Sequence, residues 1–321
     1  MAYVLSSTPL FPDQAERITS AGHDLRTPSG DEPLTRAELL DQLPEAEGLL
    51  CLLSDRIDEE VLRAGTSLKV VANIAVGYEN VDVGTARGLG ITVTNTPDVL
   101  TEATADQAFA LLLAVARRVP EADRAVREGR FPPWRLEQDL LGADVSGKTL
   151  GIIGMGRIGA AVARRGHHGF GMRVLYASRT RREEIEQELG AEFVPLDRLL
   201  RESDYVSLHV PGTPEMHHLI DADALAMMKP TAYLINVARG PVVDEGALAD
   251  ALEAGTIAGA GLDVFEEEPS VHPKLLKLTE RVVLAPHLGS ATRDTRHAMV
   301  RLAVDNVLAV LAGRPPLTPV N

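Results

Sequence analysis

A glycine-rich turn between an apolar strand and a helical segment is the clearest chemical signal in the sequence. Gly154, Gly156 and Gly159 follow the apolar run Leu150–Ile153 and precede the helix formers Ala160–Arg165. In this G-x-G-x-x-G spacing the first glycine permits a tight turn, the second lets a pyrophosphate approach the backbone, and the third lets helix and strand pack closely. The helix N-terminus adds free N–H groups and a positive dipole end. A nicotinamide dinucleotide is therefore predicted to bind at Gly154, Met155, Gly156, Arg157, Ile158 and Gly159.

Two polar side chains follow other apolar strands and could act on a substrate. Arg239 comes after Leu234–Val237, and His287 comes after Val282–Ala285. The carboxyl ends of parallel strands form the edge at which ligands bind in open α/β sheets. A guanidinium can bind a carboxylate through two parallel hydrogen bonds, and an imidazole can give up and recover a proton near neutral pH. The pair therefore suits a carboxylate substrate that exchanges a proton.

Two series of alternating strands and helices must position these residues, and such alternation predicts parallel strands joined by right-handed crossovers. The first series has predicted strands at Tyr3–Ser6, Gly48–Leu53, Val70–Asn73 and Ile91–Thr94. The second has six, at Thr149–Ile153, Arg173–Ala177, Tyr205–His209, Ala232–Val237, Gly259–Val264 and Val282–Ala285. Six strands suit one doubly wound nucleotide domain.

Two helices mark the predicted domain boundaries. A long helix is predicted over Thr101–Val119, closed by Pro120, and a final helix, Thr292–Leu311, is expected to pack back on the first domain. We therefore expect an α/β protein of two doubly wound parallel-sheet domains with a cleft between them. The flavodoxin-like substrate domain would comprise residues 1–100 and 288–321, and the Rossmann cofactor domain residues 101–287.

Three further segments accompany the glycine turn: Leu234–Gly240, Gly261–Pro269 and Ala285–Ser290. In this order the four motifs resemble the D-isomer-specific 2-hydroxyacid dehydrogenase family, and the chain looks most like the glyoxylate/hydroxypyruvate reductases within it. The resemblance extends from Val76-Gly77-Tyr78 to the C-terminal helix. It implies an NAD(P)-dependent enzyme that reduces glyoxylate or hydroxypyruvate to glycolate or D-glycerate, and a homodimer.

The resemblance also implies roles for individual residues. Glu268 would hydrogen-bond and orient His287, which acts as acid and base, while Arg239 binds the carboxylate; a shift of the partner to the neighbouring Glu266 or Glu267 stays open. The backbone of Val76 and Gly77 would bind the substrate carboxylate. Trp134 would either close over an active site, in some relatives that of the partner subunit, or pack at a dimer contact. Further cofactor contacts carry over to Thr104, Pro211, Ala238 and Asp263, the last of these to the nicotinamide carboxamide.

The end of the second Rossmann strand bears on the choice of cofactor. NAD enzymes usually place Asp or Glu about 20 residues beyond the glycine turn to hold the ribose hydroxyls, but Ser178 stands there. A serine can hydrogen-bond a 2′-phosphate, and Arg179 can pair with it. Thr180 and Glu183 match a capping box, which would open a helix N-terminus beside the same phosphate. We therefore favour NADP(H), with NAD(H) as the alternative.

Composition limits the other function classes. The net charge of −14 argues against a nucleic-acid partner. No apolar run reaches the roughly 18 residues of a membrane span, and the N-terminus lacks a signal-peptide pattern, so a cytoplasmic enzyme is expected. The single cysteine, Cys51, cannot form an intramolecular disulfide.

The adjacent histidine pairs His167-His168 and His217-His218 raise the question of a metal site. Neighbouring histidines on a helix point about 100° apart, and no carboxylate or cysteine pattern accompanies these pairs, so we expect no metal. Two alternative functions remain open. One is another enzyme of the family, such as D-3-phosphoglycerate dehydrogenase, and the other is a corepressor-like protein that binds nicotinamide without turnover.

Overall fold

The computed structural model describes residues 2–131 and 133–321, and the chain forms two compact α/β units. The first unit holds the chain up to Leu100 together with Thr292–Asn321, and the second is Thr101–Ala291. The expected boundary at 288 is thus four residues too early, so residues 288–291 belong to the second unit. The reason is local, because the backbone N–H groups of Leu288 and Gly289 donate to the carboxylate of Asp263.

The first unit is a five-stranded parallel sheet with the order β2-β1-β3-β4-β5, which is the flavodoxin-like order. Its strands are β1 Tyr3–Ser6, β2 Asp24–Arg26, β3 Gly48–Cys51, β4 Val70–Asn73 and β5 Thr92–Thr94. Its helices are α1 Pro12–Ser20, α2 Arg36–Gln42, α3 Glu59–Ala64, α4 Val83–Gly88 and the C-terminal α12 Arg293–Leu311. As predicted, α12 packs on this sheet: a Cβ placed on Gly48 would lie 3.1 Å from Cγ1 of Val307. The edge strand β2 is absent from the sequence prediction because it has no apolar run.

The second unit is a seven-stranded parallel sheet with the order β12-β11-β10-β9-β6-β7-β8, a doubly wound nucleotide-binding topology with one further strand. Its strands are β6 Thr149–Ile153, β7 Arg173–Ala177, β8 Glu192–Phe193, β9 Tyr205–Leu208, β10 Tyr233–Asn236, β11 Gly259–Leu262 and β12 Val282–Leu284. Its helices are α5 Thr101–Ala116, α6 Val119–Arg127, α7 Arg157–Arg164, α8 Glu183–Leu189, α9 Leu196–Glu202, α10 Ala222–Met227 and α11 Glu245–Ala254. The sequence predicted six of the seven strands; β8, only two residues long, carries no readable pattern.

The predicted helix Thr101–Val119 is two helices. It ends at Ala116, Arg118 adopts a left-handed φ of 54°, and α6 then begins at Val119. Pro120 lies in the first turn of α6, where the missing N–H of proline costs no helical hydrogen bond. Pro120 therefore belongs to the start of a second helix. Among the described residues, no helix is both long and apolar enough to cross a membrane.

Candidate active site

The glycine turn has the shape that a dinucleotide phosphate requires. Gly154 has a φ of +96°, and a Cβ there would lie 2.5 Å from the carbonyl oxygen of His209. A Cβ on Gly159 would lie 2.2 Å from the carbonyl oxygen of Gly154, so packing alone demands both glycines. Around Gly156, by contrast, a Cβ would meet no heavy atom within 4 Å among the described residues outside its chain neighbours and its own helix. Gly156 is also the N-cap of α7, and no described side chain caps that helix, so this open helix start fits an incoming phosphate.

A cavity of about 470 Å³ adjoins the turn, within the usual size range of small-molecule sites. Six of the residues predicted to contact the cofactor line it: Gly154, Gly156, Ser178, Arg179, Thr180 and Pro211. The sequence prediction missed other lining residues, among them Thr213, Glu215, Met216 and Leu219. These follow β9 in a loop that has no recognisable motif.

Several other residues that the sequence predicts to contact the cofactor lie outside the set that lines this cavity. Met155 and Ala238 are buried in the hydrophobic core, so only their backbone atoms remain for a cofactor. Ile158 is partly buried against the core and Thr104 is buried in α5. For these residues and for the exposed Arg157 the cofactor contact stays a prediction.

The three arginines after β7 differ in their hydrogen-bond and ion-pair partners. Arg181 forms an ion pair of 2.7 Å with Glu186, and its hydrogen bond, with that of Tyr176, lowers the pKa of Glu186 to about 2. Arg182 donates through Nε to the carbonyl oxygen of Met155, at 3.2 Å. Within the described part of the chain, no hydrogen bond or ion pair holds the side chain of Arg179. Arg179 is therefore the arginine of this loop that is available to an anionic group in the cavity.

The predicted capping box at Thr180 is wrong. Helix α8 begins at Glu183 with Arg182 as its N-cap, and no side chain in the described part of the chain caps it. The hydroxyl of Tyr176 accepts a hydrogen bond of 2.7 Å from the backbone N–H of Arg182. This bond sets the start of the helix, and it depends on the fold of the unit, which local sequence does not reveal.

His287 and Glu268 form the predicted pair. The Nδ1 atom of His287 lies 2.9 Å from Oε2 of Glu268, and Oε1 accepts a hydrogen bond of 3.1 Å from the backbone N–H of Phe265. Partial burial raises the pKa of Glu268, but the hydrogen bond and charge of His287, with smaller contributions from Phe265 and Arg239, outweigh burial and lower it. The side chains are 28% and 33% exposed, so the pair is open to a ligand. Of the three neighbouring glutamates, it is Glu268 that contacts His287.

A buried aspartate holds the loop that carries His287. The backbone N–H of His287 donates to the carbonyl oxygen of Asp263 at 2.8 Å, and the Asp263 carboxylate accepts from Leu288 at 2.8 Å and Gly289 at 2.7 Å. Gln107 adds a third bond, of 3.2 Å. These bonds hold His287 at a left-handed φ of 54°. Burial raises the pKa of Asp263. The sequence prediction assigned Asp263 to the cofactor carboxamide and missed that Asp263 and Gln107 hold the His287 loop.

Arg239 lies beside the same segment because of a close backbone contact. A Cβ on Gly240 would lie 1.8 Å from the carbonyl oxygen of Phe265, so only glycine lets the Arg239 turn approach the segment that leads from β11 to Glu268. The side chain amide of Asn236 donates to the carbonyl oxygen of Arg239 at 2.9 Å and fixes the turn. The charge of Arg239 contributes to the lowered pKa of Glu268, so the guanidinium and the His287–Glu268 pair share one electrostatic environment.

The remaining predicted substrate residues are Val76, Gly77 and Trp134. Val76 and Gly77 lie in the first unit beyond the carboxyl end of β4, and their carbonyl oxygens accept hydrogen bonds of 2.8 Å from Asn95 and Asn73 respectively. This bonding fixes the orientation of the two peptides. Trp134 lies in the second unit and is 82% exposed.

The comparison with known families decides the family of this protein. Residues 109–289 match the model of the NAD binding domain of the D-isomer specific 2-hydroxyacid dehydrogenases. The chain belongs to this family. Its members' fold, two parallel-sheet α/β domains, is the fold described above, and the protein is accordingly an NAD(P)-dependent oxidoreductase.

Individual members of the family are similar over nearly the full chain. A glyoxylate reductase of Thermococcus onnurineus is 51% identical over 97% of this chain and 93% of its own length. The crystal structure of the TT0316 protein of Thermus thermophilus has a TM-score of 0.92, with 46% identity over 99% of this chain and 100% of its own. An NADPH-dependent glyoxylate/hydroxypyruvate reductase of Sinorhizobium meliloti, solved with NADP and malonate, has a TM-score of 0.85 and 39% identity over 99% of this chain and 96% of its own. These similarities support 2-hydroxyacid dehydrogenase activity for this chain.

Proposed function

We propose that this protein is an NADPH-dependent reductase of glyoxylate and hydroxypyruvate. The proposal rests on the His287–Glu268 pair, in which Nδ1 and Oε2 are 2.9 Å apart. The charge of Arg239 also helps to lower the pKa of this carboxylate. A proton donor beside a cation is what the reduction of a short 2-oxo acid needs. The similarity to glyoxylate reductases over nearly the whole chain supports the same substrate class.

Each of the three residues takes one role. Arg239 binds the substrate carboxylate. The family resemblance also assigns the backbone of Val76 and Gly77 to substrate binding, and we keep this assignment as part of the proposal. Glu268 holds Nδ1 of His287, which leaves Nε2 to give a proton to the carbonyl oxygen. When bound, the reduced nicotinamide supplies the hydride that the carbonyl carbon accepts.

The preference for NADPH is supported by the cavity beside the glycine turn. Ser178 stands at the place of a ribose-binding acid, so no carboxylate at that position repels a 2′-phosphate. Arg179 lines the same cavity and forms no ion pair with a described residue, although its charge helps to lower the pKa of Glu215, which also lines the cavity. A guanidinium in this state can form a bidentate pair with a phosphate.

A panel of 2-oxo acids, assayed with NADPH and with NADH, tests the proposal. Glyoxylate, hydroxypyruvate, pyruvate and phenylpyruvate are compared by kcat/KM at one pH. We expect glyoxylate and hydroxypyruvate with NADPH to give the highest values. A higher kcat/KM with NADH contradicts the cofactor preference alone. Turnover of none of the four acids contradicts the reductase and favours a nicotinamide-binding protein without catalysis.

We further propose that the protein is a homodimer that uses the segment around Trp134. Phe131, Trp134 and Leu136 are each more than 80% exposed, at 82%, 82% and 81%. Such a run of exposed apolar side chains is typical of an interaction site. Sedimentation of the wild type against Trp134→Ser with Leu136→Ser tests this proposal: a dimer that becomes a monomer supports it, and a monomeric wild type contradicts it.

A further inference from the structure

Two neighbouring histidines in the second unit lie close together on a strained backbone. His217 and His218 follow the 3₁₀ turn Pro214–Met216 and are not helical. His218 has a φ of 52°, a left-handed value that is uncommon for residues other than glycine. Their rings stack with centroids 3.9 Å apart and an interplanar angle of 29°. The sequence argument against a metal, which assumed a helix with the rings turned apart, is therefore wrong for this pair.

A carboxylate from a distant part of the chain completes the cluster. Oε1 of Glu266 lies 2.5 Å from Nε2 of His218, although 48 residues separate the two in sequence. One ligand atom each from His217, His218 and Glu266 lies within 4.8 Å of the other two. On the other side of the ring, Oδ2 of Asp244 lies 3.8 Å from Nδ1 of His218. Two imidazoles and a carboxylate thus converge where the sequence shows only a histidine pair.

We propose that His217, His218 and Glu266 bind a divalent transition-metal ion of the Zn²⁺ type. Imidazole nitrogen and carboxylate oxygen are ligands that Zn²⁺ prefers, and three protein ligands leave a fourth position for water. A tetrahedral site with bonds of about 2.05 Å places its ligand atoms about 3.4 Å apart. Nε2 of His218 and Oε1 of Glu266, now 2.5 Å apart, must therefore separate by about 0.9 Å, while ligand atoms up to 4.8 Å apart must approach by up to about 1.4 Å. One of the two stacked rings must also turn, because the lone pair of an imidazole lies in the plane of its ring. The exposed His217 and the half-buried His218 and Glu266 have room for these side-chain movements.

The backbone around Glu266 is already fixed for this role. Its N–H donates to Oε1 of Glu245 at 2.7 Å, and the N–H of Glu245 donates to Oε2 of Glu266 at 3.0 Å. This reciprocal pair holds one carboxylate oxygen and leaves Oε1 to the ion. On binding, the ion displaces the proton of the hydrogen bond between Oε1 of Glu266 and Nε2 of His218, and that proton is released to solvent. The site is distinct from the pair formed by Glu268 and His287, although Glu266 and Glu268 share a segment.

Zinc titration of the full chain tests the proposal. The protein is treated with a chelator, dialysed and titrated with ZnCl₂ in a calorimeter, and Co²⁺ absorption reports tetrahedral coordination. We expect one equivalent of Zn²⁺ to bind. His217→Ala, His218→Asn and Glu266→Gln should each weaken binding at least about tenfold. Asparagine suits position 218 because it tolerates a left-handed φ.

The other histidine pair supplies a matched control. His167 and His168 lie in the π-helical turn Arg165–Gly169 with their rings edge to face, 79° apart. Among the described residues, no metal-ligand cluster includes them. The double variant His167→Ala with His168→Ala should therefore bind Zn²⁺ like the wild type. Two results overturn the proposal: no binding by the wild type, or binding that is unchanged in both His217→Ala and His218→Asn while circular dichroism shows folded protein.

Discussion

The substitution Glu268→Gln tests how much the carboxylate partner of His287 contributes to catalysis. Glutamine keeps the size of the side chain and can still accept the bond from the backbone of Phe265, but it removes the negative charge 2.9 Å from Nδ1. A hydrogen bond to a charged group contributes about 1.5–3 kcal/mol. Since each 1.36 kcal/mol of barrier is about tenfold in rate, kcat should fall about 10- to 150-fold.

The pH dependence gives a second, independent readout of the same substitution. Burial raises the pKa of Glu268, but the hydrogen bond and charge of His287 outweigh burial and lower it from the ordinary value of 4.5, so the carboxylate is charged from pH 5 upwards. The loss of kcat in Glu268→Gln should therefore be fully present at pH 5 and similar in size at pH 7.

The assay is glyoxylate-dependent loss of NADPH absorbance from pH 5 to pH 9. Glu267→Gln is the matched control, because it removes the same charge from the neighbouring residue, which is exposed, whereas the carboxylate partner of His287 among the described residues is Glu268. That variant should keep the wild-type rate and profile. If Glu268→Gln retains a kcat within twofold of the wild type at both pH 5 and pH 7, the role given to Glu268 is wrong.

Three further predictions concern the cofactor, the His287 loop and acid stability. Arg179→Ala should raise the KM for NADPH at least about tenfold, because a charge-assisted hydrogen bond is lost, and should leave the KM for NADH unchanged. Equal effects on the two KM values contradict the 2′-phosphate contact. Asp263→Asn presents an amide N–H₂ group to the backbone donors of Leu288 and Gly289, which weakens the bonds that hold the His287 loop. We therefore expect kcat to fall about tenfold or more, while the Kd for NADPH stays within threefold of the wild type. A raised Kd with unchanged kcat indicates the carboxamide contact instead. Glu186 has a pKa lowered from 4.5 to about 2 by Arg181 and Tyr176, so its stabilising charge is fully present above pH 4.5 and is lost as the pH falls towards 2. Urea unfolding of Glu186→Gln should therefore show a deficit against the wild type at pH 7 that narrows by pH 3, and a deficit independent of pH contradicts this reasoning.

The sequence predicts the fold well because buried parallel strands are apolar runs that end in recognisable turns. Tyr3–Ser6, Val70–Asn73, Thr149–Ile153 and Arg173–Ala177 are predicted to the residue. The two missed strands, β2 and β8, lie at sheet edges, are short, and have no apolar run. Their pairing depends on the neighbouring strand rather than on their own residues.

The contacts that hold the candidate site are harder to predict, because they join segments far apart in sequence. Motifs identify Arg239, Glu268 and His287, and the pair Glu268–His287 is observed. No local pattern reveals that Asp263 and Gln107 hold the His287 loop, since Gln107 lies 156 residues before Asp263. For the same reason the sequence cannot show that Glu266 meets His218, and a histidine pair on a turn is mistaken for one on a helix.

The substitution His287→Asn tests the central claim most directly, because asparagine tolerates the left-handed φ of 54° at this position and keeps the loop in place. The measurement is the single-turnover rate of glyoxylate reduction at saturating NADPH, with NADPH binding followed by fluorescence. Loss of a general acid costs about 10²- to 10⁴-fold. The account predicts a rate at least about 100-fold below that of the wild type with NADPH affinity unchanged. A variant that reduces glyoxylate at a rate near that of the wild type contradicts it.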